Sequence, residues 1–161
     1  MTIEVGDKIP EGQFMVMTGE GPQALGTDEL FGGKKVVLFG LPGAFTPTCS
    51  AKHLPGYVQN ADALKAKGVD TIACMSVNDA FVMGAWGKDQ KVGDKVAMLA
   101  DGSADYTAKL GLGLDLDARG MGQRCTRFSL LVDDGVVRAV NVEESPGEAV
   151  ASGAEAMLGQ V

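Results

Sequence analysis

Two apolar runs constrain this chain more than anything else in it. "KKVVLFGL" (34–41) and "VDTIACMSV" (69–77) are near-continuous in β-branched and apolar residues. A strand with one wet face alternates, whereas an unbroken run marks a strand covered on both faces. Between the runs lies "YVQNADALKAK", which has a helical pattern, with Gly68 placed to end it. Strand, helix, strand implies parallel pairing through a crossover.

The flanking pattern extends the unit. "QFMVM" (13–17) reads as a short strand, and "TDELF" (27–31) as a helical turn with Thr27 as a candidate N-cap. A helix is expected to open at Thr46 or Pro47, because proline suits a first turn. Pro55 is expected to kink or interrupt it. "DAFVMGAWGKDQ" (79–90) reads as helix capped by Asp79, "KVAMLAD" (95–101) as a third strand and "ADYTAKLGL" as a short helix. "RGMGQR" reads as a loop, and its neighbouring glycines match neither phosphate-binding loop pattern. In "TRFSLLVDDGVVRAVNV" two strand-like runs flank Asp134-Gly135, a strong hairpin signal. Residues 146–159 read as helix with Pro146 in the first turn. Without a linker or repeat, residues 1–161 form one α/β domain. A mixed central sheet flanked by helices, thioredoxin-like, fits this order better than an all-parallel sheet.

Charge and termini narrow the partners. The net charge of −7 disfavours nucleic acid and anionic membrane surfaces, which both call for clustered Lys and Arg. "MTIEVGDKIP" lacks the basic start and apolar stretch of a signal peptide. "VVLFGLPGAF" is too short to span a bilayer. The expected location is the cytoplasm. Cys49, Cys74 and Cys125 are odd in number, widely spaced and without a CxxC pair, so free thiols in a reducing compartment are expected. One histidine and three scattered cysteines lack metal-ligand spacing, and no cofactor is expected.

Cys49 is the residue with chemistry. At N2 or N3 of a helix its sulfur meets the first-turn amides and the positive end of the dipole. An ordinary thiol, at about 8.5, is only ~3% ionised at neutral pH, and mostly ionising it takes ~3.4 kcal/mol. A helix terminus supplies ~0.3–1 kcal/mol, rising to ~2 when partly buried. A fixed cation is therefore required, from among Arg119, Arg124, Arg127 and Arg138. Arg127 opens the first hairpin strand with its side chain placed to leave the apolar pattern, whereas Arg138 reads as solvent-facing.

"PGAFTPTCS" followed by "HLPG" resembles the active-site segment of peroxiredoxins, specifically the type II, peroxiredoxin-five-like branch. The family pattern P-x-x-x-T-x-x-C falls on Pro42, Thr46 and Cys49. "VNDAFVMGAWGK" and "TRFSLLVDDGVV" resemble the same branch. The resemblance implies a thiol peroxidase for hydrogen peroxide and alkyl hydroperoxides. Cys49 would be the nucleophile that becomes a sulfenic acid. Thr46 would contact thiolate and peroxide through its hydroxyl. Pro42 would shield the site and limit overoxidation, and Arg127 would hold thiolate and peroxide. The TxxC step also resembles a thioredoxin CxxC whose first cysteine is replaced, which leaves one nucleophile.

The C-terminal "EESPGEAVASGAEAMLGQV" lacks the resolving cysteine of some relatives. Cys74, mid-strand, reads as a small core residue. Cys125 lies two residues before Arg127, so in an extended strand the two would share a face, yet a disulfide demands closer geometry than spacing can show. An external thiol, glutathione with or without glutaredoxin, is the favoured reductant. Thioredoxin with Cys125 or Cys74 resolving, and a non-catalytic redox sensor built on Cys49, are the alternatives. A Cys49–His53 hydrolase dyad is disfavoured, because such pairs bring the base from elsewhere with an orienting third group. Phe45, Phe81, Met83 and Trp86 read as core by periodicity. The resemblance adds that Phe45 and the 81–86 segment match loops through which relatives dimerise, so a homodimer is expected.

Overall fold

The computed structural model describes residues 1–161. A seven-stranded mixed sheet runs through it. Its strands are β1 (Gln13–Thr18), β2 (Gly21–Gly26), β3 (Lys35–Leu41), β4 (Thr71–Ser76), β5 (Ala97–Ala100), β8 (Phe128–Asp133) and β9 (Val136–Val142). The spatial order is β2-β1-β5-β4-β3-β8-β9. β3, β4 and β5 pair in parallel, while β1–β5, β3–β8 and β8–β9 are antiparallel. This is the thioredoxin-like arrangement expected.

Alternation along β3 explains why its run is unbroken. Val37, Phe39 and Leu41 enter one apolar layer, and Val36 and Leu38 enter the other. The first layer is closed by α2 (Leu54–Ala66), α3 (Ala80–Asp89) and α5 (Ala154–Leu158). α2 contributes Leu54, Tyr57, Ala61 and Leu64, one helical stripe. The second layer is closed by α1 (Thr27–Phe31), α4 (Asp105–Leu110) and the N-terminal Ile3 and Ile9.

Local signals held where local chemistry decides. Asp79 caps α3, accepting from the Val82 amide at 2.8 Å. Gly68 adopts φ +101° just beyond α2. Asp134 and Gly135 both take positive φ, 47° and 80°, as a tight hairpin turn requires. Arg138 is exposed.

Elsewhere the structure departs from expectation. Thr27 does not cap α1; Gly26 occupies that position, and the Thr27 hydroxyl accepts from the Gly12 amide at 3.1 Å. β2 forms from a segment without strand character because it pairs residue for residue with β1. The expected 119–124 loop is partly strand. β6 (Gly113–Leu116) and β7 (Gly122–Cys125) form a separate ribbon around a 3-10 turn, Asp117–Arg119. Only residues 154–158 of the expected C-terminal helix are helical, and the chain from Glu143 to Gly153 crosses the molecule as an irregular strap. No helix is long and apolar enough to cross a membrane.

Candidate active site

Cys49 sits where β3 hands over to helix. The chain leaves the sheet at Leu41, passes a short loop and turns helical at Pro47. Pro55 does not interrupt the helix. A proline ring at that point would strike the carbonyl four residues back in a regular α-helix. Here residues Cys49–His53 form a π turn, with the Leu54 amide donating to the Cys49 carbonyl, and α2 continues beyond it. The proline expected to kink or interrupt the helix lies directly after a widened turn that carries Cys49 and His53, both buried. Wide turns of this kind recur at functional sites.

The loop is anchored from the sheet. The Ala44 amide donates to Asn78 Oδ1 at 3.0 Å, and the Ser76 hydroxyl donates to the same oxygen at 2.6 Å. Arg124 donates through Nη1 to the Pro42 carbonyl at 3.2 Å and through Nε to the Met121 carbonyl at 2.9 Å. Phe45 is held at φ +64°, a strained setting for a bulky residue. Phe45 and Phe81 are 54% and 67% exposed, against the expectation that periodicity places them in the core; Met83 and Trp86 are the buried pair. Trp86 Nε1 donates to the Ser50 hydroxyl at 3.1 Å.

Of the four arginines, the structure brings Arg127 to the sulfur. Nη2 donates to Cys49 Sγ at 3.2 Å across 78 residues of chain. The side chain is 2% exposed. Nε and Nη2 also reach the Pro146 carbonyl at 3.3 and 3.1 Å, and Nη1 lies 3.0 Å from His53 Nδ1. None of these partners is a carboxylate, so the guanidinium charge is left for the sulfur.

His53 is fixed by its second nitrogen. Nε2 lies 3.1 Å from the Ser152 carbonyl, an acceptor only, so Nε2 carries the proton and Nδ1 accepts from Arg127. Burial, and then the Arg127 charge, lower its basicity to about 3, and it stays neutral. Tyr57 donates to the same carbonyl at 2.7 Å and stacks on Phe39. His53 thus orients the arginine and is no base for Cys49. Thr46 and Pro42 flank the loop, but the Thr46 hydroxyl donates to the Gly43 carbonyl at 2.7 Å and makes no hydrogen bond with the sulfur. The Ser50 amide donates to the Thr46 carbonyl, which places Thr46 at the mouth of the helix.

The other two thiols differ. Cys74 lies fully buried in the same apolar layer as Cys49, and burial pushes its thiol up. Cys125 does not share a face with Arg127. The strand ends at Cys125 and β8 begins only at Phe128, with the Thr126 amide turned to Leu112. Cys125 therefore points into the second layer, across the sheet from Cys49, and burial pushes its thiol up to about 12. All three cysteines are free thiols.

The family model described as Redoxin matches residues 4–158. "Peroxiredoxin-2B" of Arabidopsis thaliana is 51% identical over 157 residues, 97% of this chain and 96% of its own. A reduced Prx3 of Vibrio vulnificus, solved in complex with hydrogen peroxide, superposes with a TM-score of 0.93 at 50% identity over 98% of both chains. A Plasmodium falciparum antioxidant protein, described as a 1-Cys peroxiredoxin, gives 0.86 at 30% identity over 96% of each.

Proposed function

Since the chain belongs to the redoxin family as a peroxiredoxin, a thiol peroxidase, we propose that Cys49 is its peroxidatic nucleophile and that an external thiol, glutathione with or without glutaredoxin, recycles it. The observation that carries the site is the Arg127–Cys49 hydrogen bond from a buried guanidinium that no carboxylate neutralises.

The geometry suits the displacement. The Cys49 thiolate attacks one peroxide oxygen, the O–O bond breaks, and the departing alkoxide or hydroxide takes a proton from solvent. Charge moves from sulfur to oxygen along a line that Arg127 borders. A fixed cation there stabilises the transition state without reorganising. The product is a sulfenic acid. Thr46 is proposed to turn its hydroxyl from Gly43 to the bound peroxide, and Pro42 to shield the sulfur from solvent.

Support for an external thiol comes from the cysteines. Cys125 is on the far side of the sheet, and Cys74 is an inert core thiol. The sulfur of a glutathione thiol attacks the sulfenic sulfur, the S–O bond breaks and the hydroxyl leaves as water with the thiol's proton, and a second thiol then frees Cys49 with formation of a disulfide. The exposed Phe45 and Phe81 support a homodimer through this loop, as in the type II, peroxiredoxin-five-like branch to which we assign the chain. The cytoplasm is the proposed setting, where three free thiols stay reduced.

The test is peroxide turnover with glutathione, glutathione plus glutaredoxin, and thioredoxin in parallel. Cys49→Ser should be inactive, and the Cys74→Ser/Cys125→Ser pair should keep full turnover with glutathione. An active Cys49→Ser protein, or loss of activity in the double variant, overturns the assignment.

A further inference from the structure

The strap from Glu143 to Gly153 has no regular structure, yet one side chain closes it. Glu143 is 7% exposed at the end of β9. Its Oε1 accepts from the Ala151 amide at 3.2 Å, and its Oε2 accepts from the Ser152 amide at 2.7 Å and from the Ser152 hydroxyl. The carboxylate thereby ties residue 143 to residues 151–152 and shapes everything between them.

What the strap presents is a set of carbonyls facing the active site. Pro146 accepts from Arg127 Nε and Nη2. Gly147 accepts from the Thr48 hydroxyl at 3.2 Å, one residue before Cys49. Ser152 accepts from Tyr57 and sets the His53 tautomer, which in turn receives Arg127 Nη1. Every hydrogen bond of the Arg127 guanidinium other than that to Cys49 therefore runs to the strap or through His53 to the strap. The Glu143 amide donates to the Arg127 carbonyl at 3.0 Å, so backbone and side chain of the arginine are held from one place.

We propose that Glu143 is a positioning residue for the peroxidase reaction: its carboxylate locks the strap whose carbonyls aim Arg127 at Cys49. The inference rests on Cys49 being the nucleophile and Arg127 its cation.

Electrostatics gives this a sign test. Glu143 carries negative charge near the site. If it acted by charge alone, Glu143→Gln would favour the Cys49 thiolate. If it positions Arg127, the same change disfavours the thiolate, because the guanidinium loses its aim. The Gln amide also sets N–H against N–H in place of one accepted bond.

The experiment measures two quantities on Glu143→Gln. One is the thiolate fraction of Cys49 at neutral pH, from ultraviolet absorbance relative to Cys49→Ser. The other is the single-turnover rate of Cys49 with hydrogen peroxide, followed by Trp86 fluorescence. Both should fall, the rate by about tenfold, as expected when a charge-assisted hydrogen bond is lost. Exposed Glu144→Gln, which removes the same charge next door, should change neither. Ser152→Ala removes one bond to the carboxylate and should move both readouts the same way by about two- to threefold; it decides the matter if Glu143→Gln does not fold. In Glu143→Gln, a thiolate fraction that is unchanged or higher, or a rate within about twofold of the parent, overturns the proposal, as does a Ser152→Ala protein in which neither readout falls. A peroxide rate that survives Cys49→Ser would instead overturn the assignment of the nucleophile.

Discussion

Replacing His53 by glutamine isolates the cost of a buried neutral imidazole. In the folded protein His53 takes up a proton only near pH 3, against an ordinary value of 6.5, chiefly because burial disfavours the cation and secondarily because Arg127 repels it. In the unfolded chain it titrates near its ordinary value. Between these limits the unfolded state binds a proton that the folded state refuses, so stability falls as pH falls through this window. At about pH 5 the loss due to His53 is ~2 kcal/mol, and near pH 3 it approaches ~5 kcal/mol, at ~1.36 kcal/mol per unit. Glutamine does not titrate and its Nε2 can still donate to the Ser152 carbonyl. Both proteins are compared in a Cys49→Ser background, to exclude oxidation, by urea unfolding at about pH 8 and about pH 5. Carboxylate contributions are common to the pair and cancel. The His53 protein should lose ~2 kcal/mol more than the His53→Gln protein between the two conditions. Equal losses would refute the claim that His53 is held neutral, and with it the reading that Nδ1 accepts from Arg127.

Three further changes bear on the site and its support. Arg127→Lys keeps the charge but cannot reach Sγ, Pro146 and His53 together, and the rate with peroxide should fall by about 10–100-fold, with Arg127→Gln lower still. A rate within about threefold of the parent would remove Arg127 from the mechanism. Gly40→Ala drives a Cβ into the buried Phe128 ring, so thermal denaturation should show ~1–3 kcal/mol of destabilisation. Asp79→Ala removes the cap on the Val82 amide and should cost about 1 kcal/mol in the same assay with no change in the reaction of Cys49 with peroxide.

Legibility followed the range of the interaction responsible. The two-sided burial of β3 and β4, the Asp134-Gly135 turn and the Asp79 cap depend on residues within a few positions of each other. β2 and the β6–β7 ribbon depend on the strands they pair with, and their glycines concealed them. The 146–159 segment has helical composition, but Pro146 and Ser152 carbonyls are bound by Arg127, His53 and Tyr57 rather than by helical amides. Pro55 reads as a kink or interruption because the π turn that accommodates it has no sequence signature. Phe45 and Phe81 looked like core because periodicity reports spacing and not whether a partner layer exists on that side.

The sequence by itself determined a cysteine at a helix start and the need for a cation, because helix geometry and thiol ionisation are local arithmetic. It also determined that β3 and β4 are covered on both faces, through unbroken apolar runs, and that they pair in parallel, through the helix between them. Tertiary structure decided how that cation is held: Arg127 comes from 78 residues away and is aimed by a strap that Glu143 closes. It also decided that Cys125 faces away, through a break in the strand just before Arg127. Such convergence depends on where distant segments pack, and no spacing along the chain encodes it directly.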